Sequence, residues 1–358
     1  MKVLHIIPTL ASGGAEKMLV DIVKESIKFG VKCEVAVLTP NSNFFGEELE
    51  KLNVSIYYGN TEKVYTYKNI LFLRKIFKLN KYDIIHTHLF SAQLFAPMAL
   101  INIKKNAKLF TTEHSTHNKR RNKKIFFILD YLMYAQYDKI IAITNDTKIK
   151  LNNYLRNTTK KTVVIENGID LLVYRNALPI KREIINPKIK NGEKIVLMVA
   201  GMREQKDHKT LIRASKILPP EYRVIFVGDG EKMEEIQGYA LEYGDPSILF
   251  LGNRKDVASI MKASDIFVLS SKWEGFGLVI VEATASGLPI IASDVPGLNE
   301  VVKKMNGVLF RPSNEVDLAK KIITVNKKPV MPIEIEEFGI ENTVEKYFLL
   351  YKETIFKG

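Results

Sequence analysis

The chain has 358 residues, 46% of them hydrophobic and 26% charged, with 13 prolines and 20 glycines scattered along it. That length predicts two domains of ordinary size, and the lack of a low-complexity tract or of a repeat of roughly 20–50 residues argues against a solenoid. A net charge of +13 lies mostly in residues 1–170, where 26 Lys and Arg face 15 Asp and Glu, a balance of +11 that leaves +2 for the remainder.

The first predicted strand, residues 3–7, stops at Pro8, too short for the apolar core of a signal peptide. A helical pattern over 15–29 follows, then strands at 34–38, 84–88, 108–112, 140–144 and 162–165. Short β-branched runs separated by helix-sized intervals predict crossover units and a parallel sheet covered on both faces. The rhythm restarts with strands at 195–199, 223–227, 248–251, 266–269 and 289–292. Between the halves, 178–193 carries Pro179, Pro187 and Gly192 without an apolar period and is taken as a linker. The expected domains are therefore 1–177 and 194–339, with a closing helix over 340–358 packing back toward the first. Both halves are α/β and doubly wound, so ligands are expected at the carboxyl ends of the strands, in a cleft between the domains.

No run of about 18 apolar residues exists to span a bilayer. The single Cys33 excludes an internal disulfide and predicts a reducing, cytoplasmic setting. The densest basic stretch holds Lys104, Lys105, Lys108, Lys119, Arg120, Arg121, Lys123 and Lys124 against one acid, Glu113. Such a patch attracts lipid head groups, a phosphorylated acceptor or nucleic acid, or is simply a lysine-rich surface. Its cations precede Phe126-Phe127, which favours peripheral attachment to an anionic membrane.

Two segments suit phosphate or sugar chemistry. Gly13-Gly14 after the first strand lets backbone approach a ligand at a helix start, although a plain tight turn explains the pair equally well. In the second half Glu274 and Glu282 stand eight apart around the loop Gly275-Phe276-Gly277, with a helix predicted from Leu278. Helix-start amides suit phosphate, whereas carboxylates suit the hydroxyls of sugar and ribose; two surface glutamates are the competing reading of these residues alone. Neither half carries the glycine fingerprint of a dinucleotide site or a P-loop.

That segment resembles the Glu-x-x-x-x-x-x-x-Glu motif of retaining GT-B glycosyltransferases of family 4, a fold of two Rossmann-like domains. The resemblance covers almost the whole chain, through Gly13-Gly14, Ile85-His86-Thr87-His88, Thr112-Glu113-His114-Ser115, Asn167-Gly168-Ile169-Asp170, Glu204-Gln205-Lys206-Asp207-His208 and Val227-Gly228-Asp229-Gly230. It continues through Phe250-Leu251-Gly252-Asn253-Arg254-Lys255-Asp256-Val257, Gly287-Leu288-Pro289 and Ser293-Asp294-Val295-Pro296-Gly297.

The resemblance implies that Glu282 holds the ribose, Glu274 a hydroxyl of the transferred sugar, and the amides of Phe276, Gly277, Leu278 and Val279 the sugar and diphosphate. Lys206 would neutralise the leaving diphosphate, Asn253, Arg254 and Val257 would lie by the nucleoside, and His114 would touch the reacting sugar. His86, His88 and His117 are assigned structural roles instead. Where family members carry Arg-Leu ahead of the Lys, this sequence has Gly201-Met202, and Arg203 is the candidate substitute.

The expected activity is transfer of a hexose from a nucleotide diphosphate sugar, a UDP-sugar foremost, to a lipid-linked saccharide in surface polysaccharide biosynthesis, with retention and without a metal or other cofactor. A nucleotide-sugar epimerase on a similar scaffold is the rival enzyme. A non-catalytic binder of anionic membrane or nucleic acid would explain the charge but leave the second-half residues unused, so nucleic acid is not the expected partner.

Overall fold

The computed structural model describes residues 1–103, 106–114, 119–325 and 332–356. They form two compact units, 1–168 with 340–358 and 169–339.

The first unit holds strands β1 (Lys2–Ile7), β2 (Lys32–Val37), β3 (Ser55–Tyr58), β4 (Ile84–His88), β5 (Lys108–Glu113), β6 (Lys139–Ala142) and β7 (Thr162–Val164). They make one parallel sheet in the order β3-β2-β1-β4-β5-β6-β7. Its helices are α1 (Gly14–Lys28), α2 (Gly46–Lys51), α3 (Tyr67–Leu79), α4 (Phe90–Leu100), α5 (Lys124–Ala135) and α6 (Asn145–Tyr154). Five successive buried residues in β1, β2 and β4 reflect a sheet covered on both faces, for which β-branched runs without alternation are the sequence solution. The core on one side gathers Leu4, Ile6, Ile85, Phe95, Leu109 and Tyr134.

The second unit holds β8 (Lys194–Val199), β9 (Tyr222–Val227), β10 (Leu249–Phe250), β11 (Ile266–Leu269), β12 (Ile290–Ser293) and β13 (Val308–Phe310), parallel in the order β10-β9-β8-β11-β12-β13. Its helices are α7 (Leu171–Asn176), α8 (Arg182–Ile185), α9 (His208–Ser215), α10 (Met233–Tyr243), α11 (Val257–Ala263), α12 (Leu278–Ala285), α13 (Asn299–Lys304) and α14 (Glu315–Thr324). The chain then returns to the first unit as α15 (Ile340–Phe356), which packs on α1.

The boundary falls at Gly168/Ile169, ahead of the 178–193 stretch read as linker. The Ile169 N–H donates to Phe338 O at 2.8 Å, tying this segment to the end of the second unit, and α7 packs on α12 and α11. Residues 178–193 are themselves ordered: Arg182 donates to Ala263 O at 3.1 Å and pairs with Asp265 at 2.9 Å. Two outer strands, β3 and β13, stand outside the strands expected from sequence, and no described helix is long and apolar enough to cross a membrane.

Candidate functional site

In each sheet the strand order reverses once, between β1 and β4 in the first unit and between β8 and β11 in the second. Loops leaving neighbouring strands at such a point diverge and leave a crevice for a ligand. In the second unit these are the loops 200–207 after β8 and 270–277 after β11. Backbone and side chain fasten them together: Lys272 N–H donates to Gln205 O at 2.8 Å, Gln205 Nε2 to Trp273 O at 2.9 Å, and Ser270 Oγ to Asp207 O at 3.0 Å. Lys206 ends a short 3-10 turn, Glu204–Lys206, and Asp207 follows at φ +47°, an uncommon conformation for a non-glycine residue, before α9 begins.

The two loops bring Lys206 Nζ to 2.7 Å from Glu274 Oε2, both side chains being largely buried. Gly277 precedes α12 at φ +75°, where a Cβ would fall 2.7 Å from Leu298 Cδ1. Gly297, at φ +82°, lies under the loop, and a Cβ there would meet Glu274 O at 2.4 Å. Both glycines are therefore required for the loop to take this path into the helix. The amides that open an α-helix have no intrahelical acceptor, so Phe276, Gly277, Leu278 and Val279 bring an anion-favouring helix start beside a lysine and a carboxylate. Glu282, half-buried, lies one turn further along α12.

Arg203 is exposed, but its side chain folds back over the neighbouring position: a Cβ built on Gly201 would lie 3.7 Å from Arg203 Nε. The Arg203 side chain thus runs beside Gly201, the position that the resemblance aligns with an arginine. Arg254, expected by the nucleoside, is forked onto Asp256, with Nε to Oδ1 at 2.7 Å and Nη2 to Oδ2 at 2.6 Å. Each charge favours the ionised form of its partner, and the pair fixes the turn that presents exposed Asn253 and starts α11 at Val257.

Sequence reasoning passed over two neighbours of this site. Ser271 Oγ is buried without a hydrogen-bond partner among the described residues, and His208, at the start of α9, is held down to about 4 by burial and then by the charge of Lys206. Ser271 has no signal in spacing and is revealed only by the meeting of the loops, whereas His208 stands in the Glu204-Gln205-Lys206-Asp207-His208 motif without a role assigned to it there.

In the first unit Gly13 caps α1, and a Cβ on it would meet a carboxylate oxygen of Glu16 at 2.2 Å. Glu16, third in α1 after Gly14, folds over its own helix start and accepts from Thr9 Oγ1 at 3.3 Å. That helix start already carries a negative group. His114 follows β5, with Nε2 3.2 Å from His88 Nδ1, and burial lowers it from 6.5 to about 4.

Among the described residues, the two arginines of the basic run do not belong to an exposed patch. Arg121 is only 9% exposed and donates to Glu113 Oε2 at 2.7 Å; Arg120, 11% exposed, pairs with Asp130 at 3.2 Å and lies over the Phe90 ring at 3.5 Å. Both guanidinium groups are drawn inward because Glu113 and Asp130 are buried carboxylates in need of a cation. Glu113 also accepts from Gln93 Nε2 at 2.8 Å and from the Tyr134 hydroxyl. Lys104, Lys105 and His117 lie outside the described residues, as do the side chains of Lys119 and Lys124. What the surface does show is an apolar stripe on α5, where Ile125, Ile128, Tyr131 and Leu132 are exposed beside exposed Lys123.

Residues 12–172 match the family model described as Glycosyltransferase Family 4, and residues 180–342 the model described as Glycosyl transferases group 1. A UDP-Gal:alpha-D-GlcNAc-diphosphoundecaprenol alpha-1,3-galactosyltransferase of Escherichia coli is 27% identical over 342 residues, covering 88% of this chain and 87% of its own. An N-acetyl-alpha-D-glucosaminyl L-malate synthase of Bacillus anthracis is 26% identical, covering 76% of this chain and 75% of its own. Among solved structures, Anabaena HepE in complex with UDP and glucose superposes with a TM-score of 0.83 at 21% identity, over 99% of this chain and 100% of that one. The fold is GT-B.

Proposed function

The chain belongs to the group 1, family 4 glycosyltransferases, and on that premise we propose that it transfers a hexose, with retention of configuration and without a metal ion, from a UDP-sugar to a lipid-linked saccharide in surface polysaccharide assembly. The observation that carries the reading is the Lys206–Glu274 pair at the start of α12. As the anomeric C–O bond breaks, negative charge grows on the leaving diphosphate, and a fixed cation with helix-start amides stabilises that state more than the ground state. Lys206, helped by Arg203, takes the role otherwise given to a metal. Glu274, released from Lys206 by the diphosphate, accepts from a sugar hydroxyl; Glu282 accepts from the ribose, with Asn253, Val257 and the Arg254–Asp256 turn bordering the nucleoside. His114 touches the transferred sugar, and the loop of Gly13 and Gly14 borders it. Attack and departure occur on the same face, the leaving phosphate taking the acceptor proton.

The UDP-sugar and diphospholipid substrates of the Escherichia coli relative, together with UDP in the Anabaena protein, support this donor and acceptor class. For an acceptor at the membrane, the apolar stripe of α5 beside Lys123, in a half of the chain with a balance of +11, supplies a docking face on the cytoplasmic leaflet. The test is incubation with UDP-hexoses and an undecaprenyl-diphosphate saccharide, with the product anomer read by NMR and EDTA present in one arm. An α-linked product from an α-linked donor, unaffected by EDTA, is expected; an inverted product, or conversion of the donor without an acceptor, refutes it.

A further inference from the structure

The donor chemistry leaves a histidine cluster in the first unit unused. His5 on β1 and His86 on β4 are register partners, and His88 is two residues beyond His86, so all three project from one face of the sheet, fully buried. His5 Nδ1 lies 3.1 Å from His88 Nε2, and His88 Nδ1 lies 3.2 Å from His114 Nε2. His86 belongs to a separate branch: it bonds the Tyr351 hydroxyl and, at 2.8 Å, Thr112 Oγ1, while its ring stacks on His88 at 4.4 Å. Leu89, next after His88, is held at φ +66°, a conformation that non-glycine residues adopt only when their surroundings enforce it. Burial holds His5 near 3, His114 near 4 and His88 well below 6.5, so all three rings are neutral at neutral pH.

A neutral imidazole has one N–H and one lone pair. Three such rings joined through both nitrogens of the middle one must all point the same way. If His5 Nδ1 donates to His88 Nε2, then His88 donates from Nδ1 to His114 Nε2, and His114 carries its proton on Nδ1. If His114 donates from Nε2, the order reverses and its Nδ1 is a lone pair. A break in direction would set two N–H groups or two lone pairs against each other in a buried site, where an unmet hydrogen bond is costly.

We propose that His5 and His88 are positioning residues that fix the tautomer of His114, and with it whether His114 Nδ1 donates to or accepts from the transferred sugar. The proposal rests on the reading that His114 touches the sugar. A ring nitrogen from each of His5, His86 and His88 also falls within 4.8 Å of the others. Hydrogen bonds already engage both nitrogens of His86 and His88, and the faces of these two rings meet rather than their edges, which favours a relay over a metal centre.

Nitrogen-15 NMR of histidine-labelled protein without donor tests the relay independently of the sugar. His5, His88 and His114 are expected in the same tautomer, all Nδ1–H or all Nε2–H, and His5→Phe, which keeps a ring but no nitrogen, is expected to change the tautomer balance of His114. Opposite tautomers in His5 and His114, an unchanged His114 in His5→Phe, or stoichiometric zinc in the purified protein overturns the proposal. In the transfer assay His5→Phe is expected to lower kcat about 10-fold, the scale of one hydrogen bond at a reacting group, with the donor KM unchanged and partial recovery in His5→Asn. Loss of donor affinity instead of kcat, or no recovery with Asn in a folded variant, overturns it. If the tautomers agree but His114→Ala leaves kcat unchanged, the relay stands and the sugar contact is what fails.

Discussion

Replacing Arg121 by alanine tests where the basic segment's charge is used. Arg121 is 9% exposed, and its partner Glu113 keeps only the Tyr134 hydroxyl and the Gln93 amide once the guanidinium is gone. Removing one partner of a buried ion pair strands the other charge at a cost of about 3–5 kcal/mol. For a unit of this size, each kcal/mol moves the midpoint by roughly 2–4 °C, so a fall of about 6–20 °C is expected in calorimetry. Arg121 holds the buried Glu113 carboxyl below its usual 4.5 against the opposing effect of burial. A folded-state value below the unfolded one contributes stability that is present above about 4.5 and lost as pH falls through the lowered value. The wild-type advantage over Arg121→Ala is therefore full at pH 7 and shrinks below about 4.5. Arg121→Met with Glu113→Gln should recover most of the loss, since no charge is then stranded. A shift of less than about 2 °C in Arg121→Ala, or none with pH, would refute the inward assignment and return Arg121 to the surface.

Glu282→Ala is expected to weaken UDP binding by calorimetric titration, whereas Glu274→Ala chiefly lowers turnover; wild-type behaviour in both sinks the assignment. Lys206→Ala should lower turnover by about 10²-fold, as for loss of one preorganised charge-stabilising group, and Arg203→Ala by about 10-fold. A silent Arg203→Ala would leave the diphosphate to Lys206 and the α12 amides. In co-sedimentation, attachment should require anionic vesicles, fade with salt, and be lost in Ile128→Glu with Leu132→Glu; retention in that variant excludes the α5 face. His5, His86, His88 and His114 all lie below 6.5 when folded, so stability is full above about 6.5 and falls as unfolding takes up protons, by about 1.4 kcal/mol per pH unit for each histidine. Equal urea midpoints at pH 7.5 and 5.5 would contradict neutral buried histidines.

The inner strands were legible because full burial demands continuous apolar runs, as in β8, where Ile195 to Met198 are all buried. Of the four edge strands, β7 and β10 were legible and β3 and β13 were not. β3 reads Ser-Ile-Tyr-Tyr and is only half-covered, and β13 has three residues, so neither needs a long apolar signature. The domain boundary was misplaced for a different reason. Proline and glycine in 178–193 suggested a free linker, but backbone bonds such as Ile180 N–H to Ser259 O at 3.3 Å secure that stretch within the second unit. Composition marks where a chain turns; it does not mark which surface it then lies on.

The same distinction governs the charged residues. Lys206 and Glu274 are 68 positions apart, and their 2.7 Å contact follows from the adjacency of β8 and β11, which only sheet order reveals. Each residue was visible as a motif member, while the pair was not. Arg120 and Arg121 show the converse: they belong to the densest cationic run, yet Asp130, ten residues after Arg120 in α5, and Glu113, at the end of β5, consume them. A linear count credits such cations to the surface because it cannot weigh a buried carboxylate's demand for a partner. The charge available to an anionic ligand is what remains after the interior has been neutralised, which here leaves exposed Lys123 beside the apolar stripe of α5 rather than Arg120 and Arg121.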